Sequence, residues 1–254
     1  MKLIHPIRTK MTVLGTRKLH LKLQDKFAEN NIKMGRDAFI DFMRHRGLLV
    51  RKTKRFHITT NSKHFYYTSP NRLKETTLEH SEQAWVSDIT YIKIEQQHAY
   101  LALVTDAYSK RIMGWNLDNN MKVELVKGAL KMALSNKQHH HKNIIHHSDR
   151  GIQYCCPDFT QFAESQGMIL STTQQYDPYE NAIAERINGI LKYEFGLKRT
   201  LPNIAMARKM VQQAVELYNN ERPHWSLKLI TPEMAHQLYN KTPYMSYSKK
   251  KQTA

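Results

Sequence analysis

Three acidic residues lie in sequence contexts that favour other residue types, and they are the first candidates for chemistry. Asp88 interrupts the strand-like run Trp85–Ile92, although aspartate is depleted in strands. Asp149 ends a short apolar run and is followed by Gly151, which indicates a sharp turn. Glu185 lies in an amphipathic stretch. Because Mg²⁺ prefers carboxylate oxygens, these three acids predict a pair of oxygen-rich magnesium sites.

The third acid lies on a helix predicted over 177–195. At about 100° per residue, the polar residues share one stripe and the isoleucines share the opposite face. The polar stripe consists of Asn181, Glu185, Asn188 and Lys192. Asp177 is a good N-cap, Pro178 suits the first helical position, and Glu180 completes a capping box. The alternative interpretation of the stripe is a solvated polar face.

Charge is distributed unevenly along the 254 residues, which carry a formal net charge of +17. Residues 1–80 contain 18 Lys and Arg against 6 Asp and Glu, whereas residues 81–254 contain 21 against 16. A basic first third beside a more balanced remainder predicts a nucleic-acid-binding module attached to a domain with another task. A generally basic protein is the alternative.

Other classes of protein are disfavoured by the composition. No apolar run is long enough to span a membrane, and the first ten residues lack the apolar core of a signal peptide. The two cysteines, Cys155 and Cys156, are adjacent, which excludes a disulfide framework and fits a reducing cytosol. Fourteen histidines raise the question of zinc, but their spacing supports no structural site. We therefore expect a cytoplasmic protein.

Two short helices are predicted near the start of the chain, over Arg17–Asn30 and Asp37–Arg46, with Gly35 between them. They could form a helix-turn-helix that binds DNA, or a hairpin that only packs. The segment 51–80 has no sustained period, many basic groups and interleaved aromatic residues. It is interpreted as a linker that lies along phosphates, or as a disordered tether.

The central region changes to short β-rich runs that alternate later with helices. Strands are predicted over 85–94, 100–105, 111–117, 143–147 and 168–172, with helices around Val123–Leu134 and Phe159–Ala163. This order predicts an α/β fold with a mixed five-stranded sheet and helices on both faces. Asp106 follows the second strand and is a rival acid, but its DAYSK context favours a structural turn.

The last part of the chain is predicted to be helical. An amphipathic helix runs from Ile204 to Asn220, and Thr231 is a good N-cap for a short final helix. Between them, Arg222 and His224 in the word ERPHWSL could contact DNA or form a structural end to the core. The tail SYSKKKQTA is too polar to fold alone.

The words WVSDITYI, HHSDRGIQY and NAIAERINGILKYE resemble the insertion-sequence transposases that share the retroviral integrase core. The group resembled most is that of insertion sequence 3, specifically its second-reading-frame product. Its members have a DDE triad with 35 residues between the last two acids and a basic residue seven positions later. Asp88, Asp149, Glu185 and Lys192 match that pattern. The resemblance implies a ribonuclease H-like core.

The resemblance also implies activity, cofactor and partners. We expect the chain to cleave element ends and to join the 3′-OH to a DNA strand with two Mg²⁺ ions, for which Mn²⁺ can substitute. The expected partners are double-stranded DNA with terminal inverted repeats, target DNA, further copies of the chain, and an upstream-frame protein as a fusion or partner. The residues predicted to contact DNA are Lys192, Asn188, Asn181, Arg150 and Arg222. Alternatives are a nuclease without strand transfer and a non-catalytic DNA-binding regulator.

These expectations divide the chain into four parts. Residues 1–50 are predicted to be a helical DNA-binding segment and residues 51–83 a basic linker. Residues 84–200 are predicted to form the ribonuclease H-like catalytic core, followed by C-terminal helices and a basic tail over 201–254.

Overall fold

A computed structural model describes residues 1–50, 65–95, 97–139, 143–174 and 181–241. The strands are β1 (Ala84–Ile94), β2 (Gln97–Asp106), β3 (Ile112–Asp118), β4 (Ile145–Ser148) and β5 (Ile169–Thr172). The helices of the first part are α1 (His5–Lys10), α2 (Thr16–Lys22), α3 (Gln24–Glu29), α4 (Arg36–His45) and α5 (Arg72–Glu75). The later helices are α6 (Val123–Ser135), α7 (Ile152–Cys155), α8 (Pro157–Ser165), α9 (Ala182–Glu194), α10 (Ile204–Asn220) and α11 (Pro232–Gln237). A 3₁₀ turn spans Trp225–Leu227.

The five strands form one mixed sheet in the order β3-β2-β1-β4-β5. Strands β1, β2 and β3 form an antiparallel meander, because short connections join them. Strand β4 pairs parallel to β1, and β5 pairs parallel to β4, after helical crossovers. The predicted mixed sheet is confirmed, and with it the ribonuclease H-like fold class.

Alternating side chains of β1 supply two apolar cores, one on each face of the sheet. Trp85 and Ile89 pack with α6 and α8 on one face. Ile92 and Ile94 pack with α9 and α10 on the other face. By the same alternation Asp88, an even-numbered residue like Ile92, belongs to the face that α9 covers.

The first four helices have an apolar cluster of their own, which includes Leu19, Leu23, Phe27, Phe39 and Met43. The predicted single helix over Arg17–Asn30 is wrong in one respect, because it is divided into α2 and α3 at Leu23. There the backbone N–H of Leu23 bonds to His20, a tightened turn. This helical unit contacts the end of α10, where Lys10 and Lys22 bond to the side chain and the carbonyl of Glu221 at 2.7 and 2.8 Å.

The C-terminal helices agree with the pattern in the sequence. Helix α10 joins α9 in the apolar cluster under the sheet, and the Thr231 hydroxyl caps α11. The proposed cap residues Asp177, Pro178 and Glu180, most of the linker and the lysine-rich tail lie outside the described residues. The four domain boundaries drawn from the sequence stay predictions. Within the described part of the chain, no helix is long and apolar enough to cross a membrane.

Candidate active site

Asp88 and Asp149 are brought together by the pairing of β1 with β4. The parallel register runs from Ala84 beside Ile145 to Ser87 beside Ser148. One step further along both strands come Asp88 and Asp149, at the carboxyl end of β4. Because adjacent strands lie about 4.8 Å apart, two acids 61 positions apart in sequence become neighbours.

The carboxylate of Asp88 is held by two donors and enclosed by the protein. The Asn188 side-chain N–H₂ on α9 donates to its Oδ2 at 2.8 Å, and the Ile89 backbone N–H donates to its Oδ1 at 2.8 Å. Burial raises the pKa of Asp88 to about 7, and the charges of Asp149 and Glu185 add to the rise. Two hydrogen bonds therefore do not compensate for loss of water and for two neighbouring negative charges.

Gly151 fixes the orientation of Asp149. Its backbone N–H donates to the Asp149 Oδ1 at 3.0 Å. A Cβ at position 151 would lie 3.0 Å from that same oxygen and 3.3 Å from the Gln153 side chain. The φ angle of Gly151 is −64°, which any residue adopts. A side chain at position 151 would therefore crowd the Asp149 carboxylate, whereas the backbone angles of the turn do not demand glycine.

Glu185 completes the group from α9. The residue lies in the first turn of the helix and is exposed. Partial burial of its carboxylate raises its pKa, and the charge of Asp149 raises it further. All three acids thus interact, and their role as metal ligands stays a prediction. Among the described residues, no three acidic, imidazole or thiol groups converge closely enough to hold a metal ion as they stand.

The donor set nevertheless fits a hard divalent cation. The two groups with raised pKa values are carboxylates, and both respond to the charge of Asp149. The Asn188 Oδ1 is buried and has no hydrogen-bond partner among the described residues. Oxygen atoms that lack positive partners are what Mg²⁺ binds, and a cation here would relieve the repulsion among the acids.

The structure changes the roles of the two asparagines that were predicted to contact DNA. Asn188 is buried and donates to Asp88. Asn181 is also buried, and its side chain donates to the Ser87 carbonyl at 3.1 Å. Both side chains bond within the protein because the polar stripe of α9 packs against β1, and their contact with DNA stays a prediction. Asn188 positions Asp88, and Asn181 fixes the start of α9 against β1.

Lys192 lies further along the same stripe. Its ammonium is 4.3 Å from the centre of the Tyr91 ring, a cation–π contact. Burial lowers its pKa, while the charge of Asp88 acts in the opposite direction. Lys192 therefore belongs to the surroundings of the acids, since its charge interacts with that of Asp88.

The two arginines that were predicted to contact DNA, Arg150 and Arg222, differ in exposure and in partners. Arg222 is 1% exposed and forms a two-pronged ion pair with Glu194, at 2.7 and 2.8 Å, which favours the structural alternative; its contact with DNA stays a prediction. Its partner is 28 residues away in sequence and was not recognised. Arg150 is partly exposed, and its Nε donates to the Thr173 carbonyl at 2.8 Å. Its contact with DNA stays a prediction.

The rival acid Asp106 has a structural role, as predicted. It is buried and accepts three hydrogen bonds from Glu82 and Ser109.

Tyr154 on α7 is a neighbour of the acids that the sequence analysis did not identify. Burial raises its pKa well above the ordinary value, with Asp88 and Asp149 adding to the rise. Its position in the word HHSDRGIQY, in the same word as Asp149, was the signal available in the sequence.

Family models identify the central region. The model described as "Integrase core domain" matches residues 79–178, and a second model with the same description matches residues 166–232. Together they cover all three acids and every strand of the sheet.

Similar proteins come from insertion sequences. The insertion element IS600 uncharacterized 31 kDa protein of Shigella sonnei is 34% identical over 236 residues, which cover 92% of this chain and 85% of that protein. Transposase InsF for insertion sequence IS3A of Escherichia coli strain K12 is 29% identical over 193 residues, covering 75% of this chain and 67% of InsF.

A solved structure shares the fold. It is a simian T-cell lymphotropic virus intasome in complex with the PP2A regulatory subunit B56 gamma, with a TM-score of 0.54 at 17% identity. The match covers 96% of this chain and 78% of that chain. At that identity the likeness concerns the fold alone.

Proposed function

We propose that this chain, which belongs to the insertion-sequence transposases with an integrase core domain, cleaves DNA at the ends of its element and joins the freed 3′-OH to another strand. One observation carries the proposal. Three acids from β1, the end of β4 and α9 interact in an integrase-type fold, and the pKa values of two of them are raised. Water would attack in the first reaction and the 3′-OH in the second.

Asp88, Asp149 and Glu185 would hold two Mg²⁺ ions, and Mn²⁺ can replace Mg²⁺. When bound, such ions supply activation of an attacking oxygen and stabilisation of the negative charge on the phosphate. The protein's own groups orient the acids. Asn188 holds one oxygen of Asp88, and the Gly151 N–H holds one oxygen of Asp149.

Lys192 is proposed to bind a phosphate near the cut end. Its ammonium is fixed over the Tyr91 ring and interacts with Asp88, so it can position DNA beside the acids without forming a bond to the reacting atoms. The basic residues of 1–80 would add phosphate contacts that carry no sequence information. Arg150 is proposed as a further DNA contact.

The DNA partners proposed are double-stranded element ends with inverted repeats and a target duplex. Bringing two ends together requires at least two copies of the chain, so we propose a homo-oligomer on DNA. An upstream-frame protein, as a fusion or separate partner, would add recognition of the ends.

A gel assay with end-containing DNA and Mg²⁺ tests the proposal. The wild-type chain should give joined products, and Asp149→Asn should give none while still shifting the DNA. Asp158→Asn, which changes an exposed acid at the start of α8, is the control and should join normally. Cut products alone would indicate a nuclease, and shifted but uncut DNA a binding regulator. Joining by Asp149→Asn at the wild-type rate would refute the site.

A further inference from the structure

A cleft of about 540 Å³ lies on the side of α9 that faces away from Glu185. Its floor is the apolar face of α9, formed by Ile183, Ile187 and Ile190. Helix α2 of the N-terminal unit and the 3₁₀ turn with Trp225 form its walls. This "Trp225 cleft" is large enough for a ligand of several heavy atoms, and the proposed catalytic role of α9 does not use it.

The charge of the Trp225 cleft is strongly positive. Four cationic side chains line it, Lys18, Lys110, Arg186 and Arg222, and none of the described residues that line it is acidic. Glu194 balances one of the four charges, because it pairs with Arg222 through both oxygens. The remaining cations, among them Lys18 and Arg186, give the cleft a positive potential, which favours an anionic occupant.

The cations also act on one another. Burial lowers the pKa of Lys18 to about 8, with the charge of Arg222 as the next cause. Burial lowers the pKa of His224 to about 2, and the same four cations add to the effect. His224 is therefore neutral, and its ring is oriented by the Ser226 hydroxyl at 2.9 Å. An anion in the cleft would offset the repulsion among these cations. A metal cation would do the same for the repulsion among the acids on the other side of α9.

The apolar part of the cleft limits which anion fits. Trp225 is 41% exposed, whereas Trp85 is fully buried in the core. An inorganic phosphate would use the cations and leave the exposed indole and the partly exposed Ile183 in water. A group with both a phosphate and a flat apolar ring uses all of them, because every nucleobase can stack on an aromatic side chain.

We infer that the Trp225 cleft binds one unstacked nucleotide of a DNA strand, with its base against Trp225 and the isoleucine floor and its phosphate near Lys18 and Arg186. This inference rests on the proposed function in that DNA is the partner. A nucleotide held there would be separated from the acids by one helix thickness. The same helix would then fix the strand on one side and present Glu185 on the other.

Fluorescence of the full-length chain tests the inference, with EDTA present so that the acids take no part. The probe is a single-stranded tetranucleotide of thymidine. We expect saturable quenching in the wild type and none in Trp225→Leu, in which Trp85 and Trp115 remain as background. Binding of a labelled tetranucleotide, measured by anisotropy, should weaken about tenfold in Arg186→Gln. Lys209→Gln, an exposed cation on α10 outside the cleft, should change it less than about twofold.

A tetranucleotide without bases separates stacking from charge. Its affinity should be the same for the wild type and Trp225→Leu, and it should still be weakened by Arg186→Gln. The inference is overturned by equal quenching with the base-free probe, or by equal losses in Arg186→Gln and Lys209→Gln. Equal binding of thymidine monophosphate would assign the cleft to free nucleotides, and equal competition by an acidic peptide would assign it to a protein partner.

Failure of this inference and failure of the proposed function can be told apart. Asp149→Asn should bind the tetranucleotide as the wild type does, because Asp149 does not line the cleft. If Asp149→Asn still joins DNA, the catalytic proposal fails and the cleft result stands. If quenching is absent while the wild type joins DNA, the cleft inference fails alone.

Discussion

Two groups of acidic side chains lie in or beside this sheet, and the balance between hydrogen bonds and charge repulsion differs between them. Glu82 and Asp106, here called the structural acids, are fully buried. Asp88, Asp149 and Glu185, here called the site acids, are gathered where β1, β4 and α9 meet. The first group is surrounded by hydrogen-bond donors, whereas the second is surrounded by its own negative charges.

The structural acids have donors for their oxygens. Asp106 accepts the N–H groups of Glu82 and Ser109 at 2.6 Å each and the Ser109 hydroxyl at 2.7 Å. Glu82 accepts two backbone N–H groups and the His236 ring nitrogen. Burial would raise the pKa of Glu82, but these bonds outweigh it and lower the pKa.

The site acids show the reverse balance. Burial and the neighbouring carboxylates raise the pKa of Asp88 to about 7 despite its two donors. At the site acids the donors do not offset burial and the neighbouring carboxylates, and this balance favours a positive ligand. The balance between hydrogen-bond donors and neighbouring charges around a carboxylate, more than its burial, therefore distinguishes the structural acids from the site acids.

The largest effect should come from Glu185→Gln. It removes one charged oxygen donor from the proposed metal site, so joining should fall by roughly 10³-fold or more. The free energy of unfolding should change by less than about 0.5 kcal/mol, because the side chain is exposed. Product yields and urea unfolding measure the two quantities. Glu164→Gln, on the exposed side of α8, is the matched control; a wild-type rate for Glu185→Gln would remove Glu185 from the site acids.

Asp106→Ala should lower the free energy of unfolding, whereas Glu185→Gln should leave it nearly unchanged. It leaves two N–H groups and a hydroxyl without their acceptor inside the protein, which should cost about 3 kcal/mol of unfolding free energy. Urea unfolding checks the loss. Asp118→Ala, which removes one bond at the partly exposed end of β3, should cost under about 1 kcal/mol. Similar losses in both variants would show that Asp106 is not the anchor described.

Asp88→Asn should stabilise the metal-free protein while abolishing joining. The amide keeps the shape of the carboxylate and removes its repulsion with Asp149 and Glu185. We expect a gain of about 1–2 kcal/mol at pH 7, measured by urea unfolding in EDTA. The same substitution at Asp106 should give no gain. A loss of stability in Asp88→Asn would mean that the protein compensates the Asp88 charge and that the two groups of acids do not differ.

Most of the fold was predictable because it depends on local alternation. The apolar periods located every strand of the sheet and the longer helices α6, α9 and α10 to within a few residues. The short helices α1, α5 and α7 were missed, since four to six residues are too few to reveal a period. The break at Leu23 between α2 and α3 was also missed, because the apolar stripe continues across it.

The candidate site was predictable in its acids and not in their partners. Asp88 and Asp149 were recognisable because each disturbs a local pattern, and a family motif linked them to Glu185. Asn188 was assigned to DNA because a period shows which residues share a face and not what that face meets. The ion pair of Arg222 was not recognisable for a similar reason: its partner Glu194 is supplied by tertiary structure.

The smallest effect should be a difference in acid sensitivity at Glu82. Its pKa is lowered in the folded protein, so the stability it contributes is complete above the ordinary value of 4.5 and is lost as the pH falls through the folded value. Glu82→Gln cannot lose that contribution, because it does not titrate. The difference in melting temperature between wild type and Glu82→Gln should therefore be largest near pH 7 and should shrink below pH 4.5. Glu124→Gln, an exposed acid on α6, should follow the wild-type curve throughout. A melting-temperature difference that stays constant from pH 7 to pH 3 would contradict this prediction. It would mean that the hydrogen bonds from Gln138, His139 and His236 do not favour the charged form of Glu82, which would then no longer contrast with the site acids.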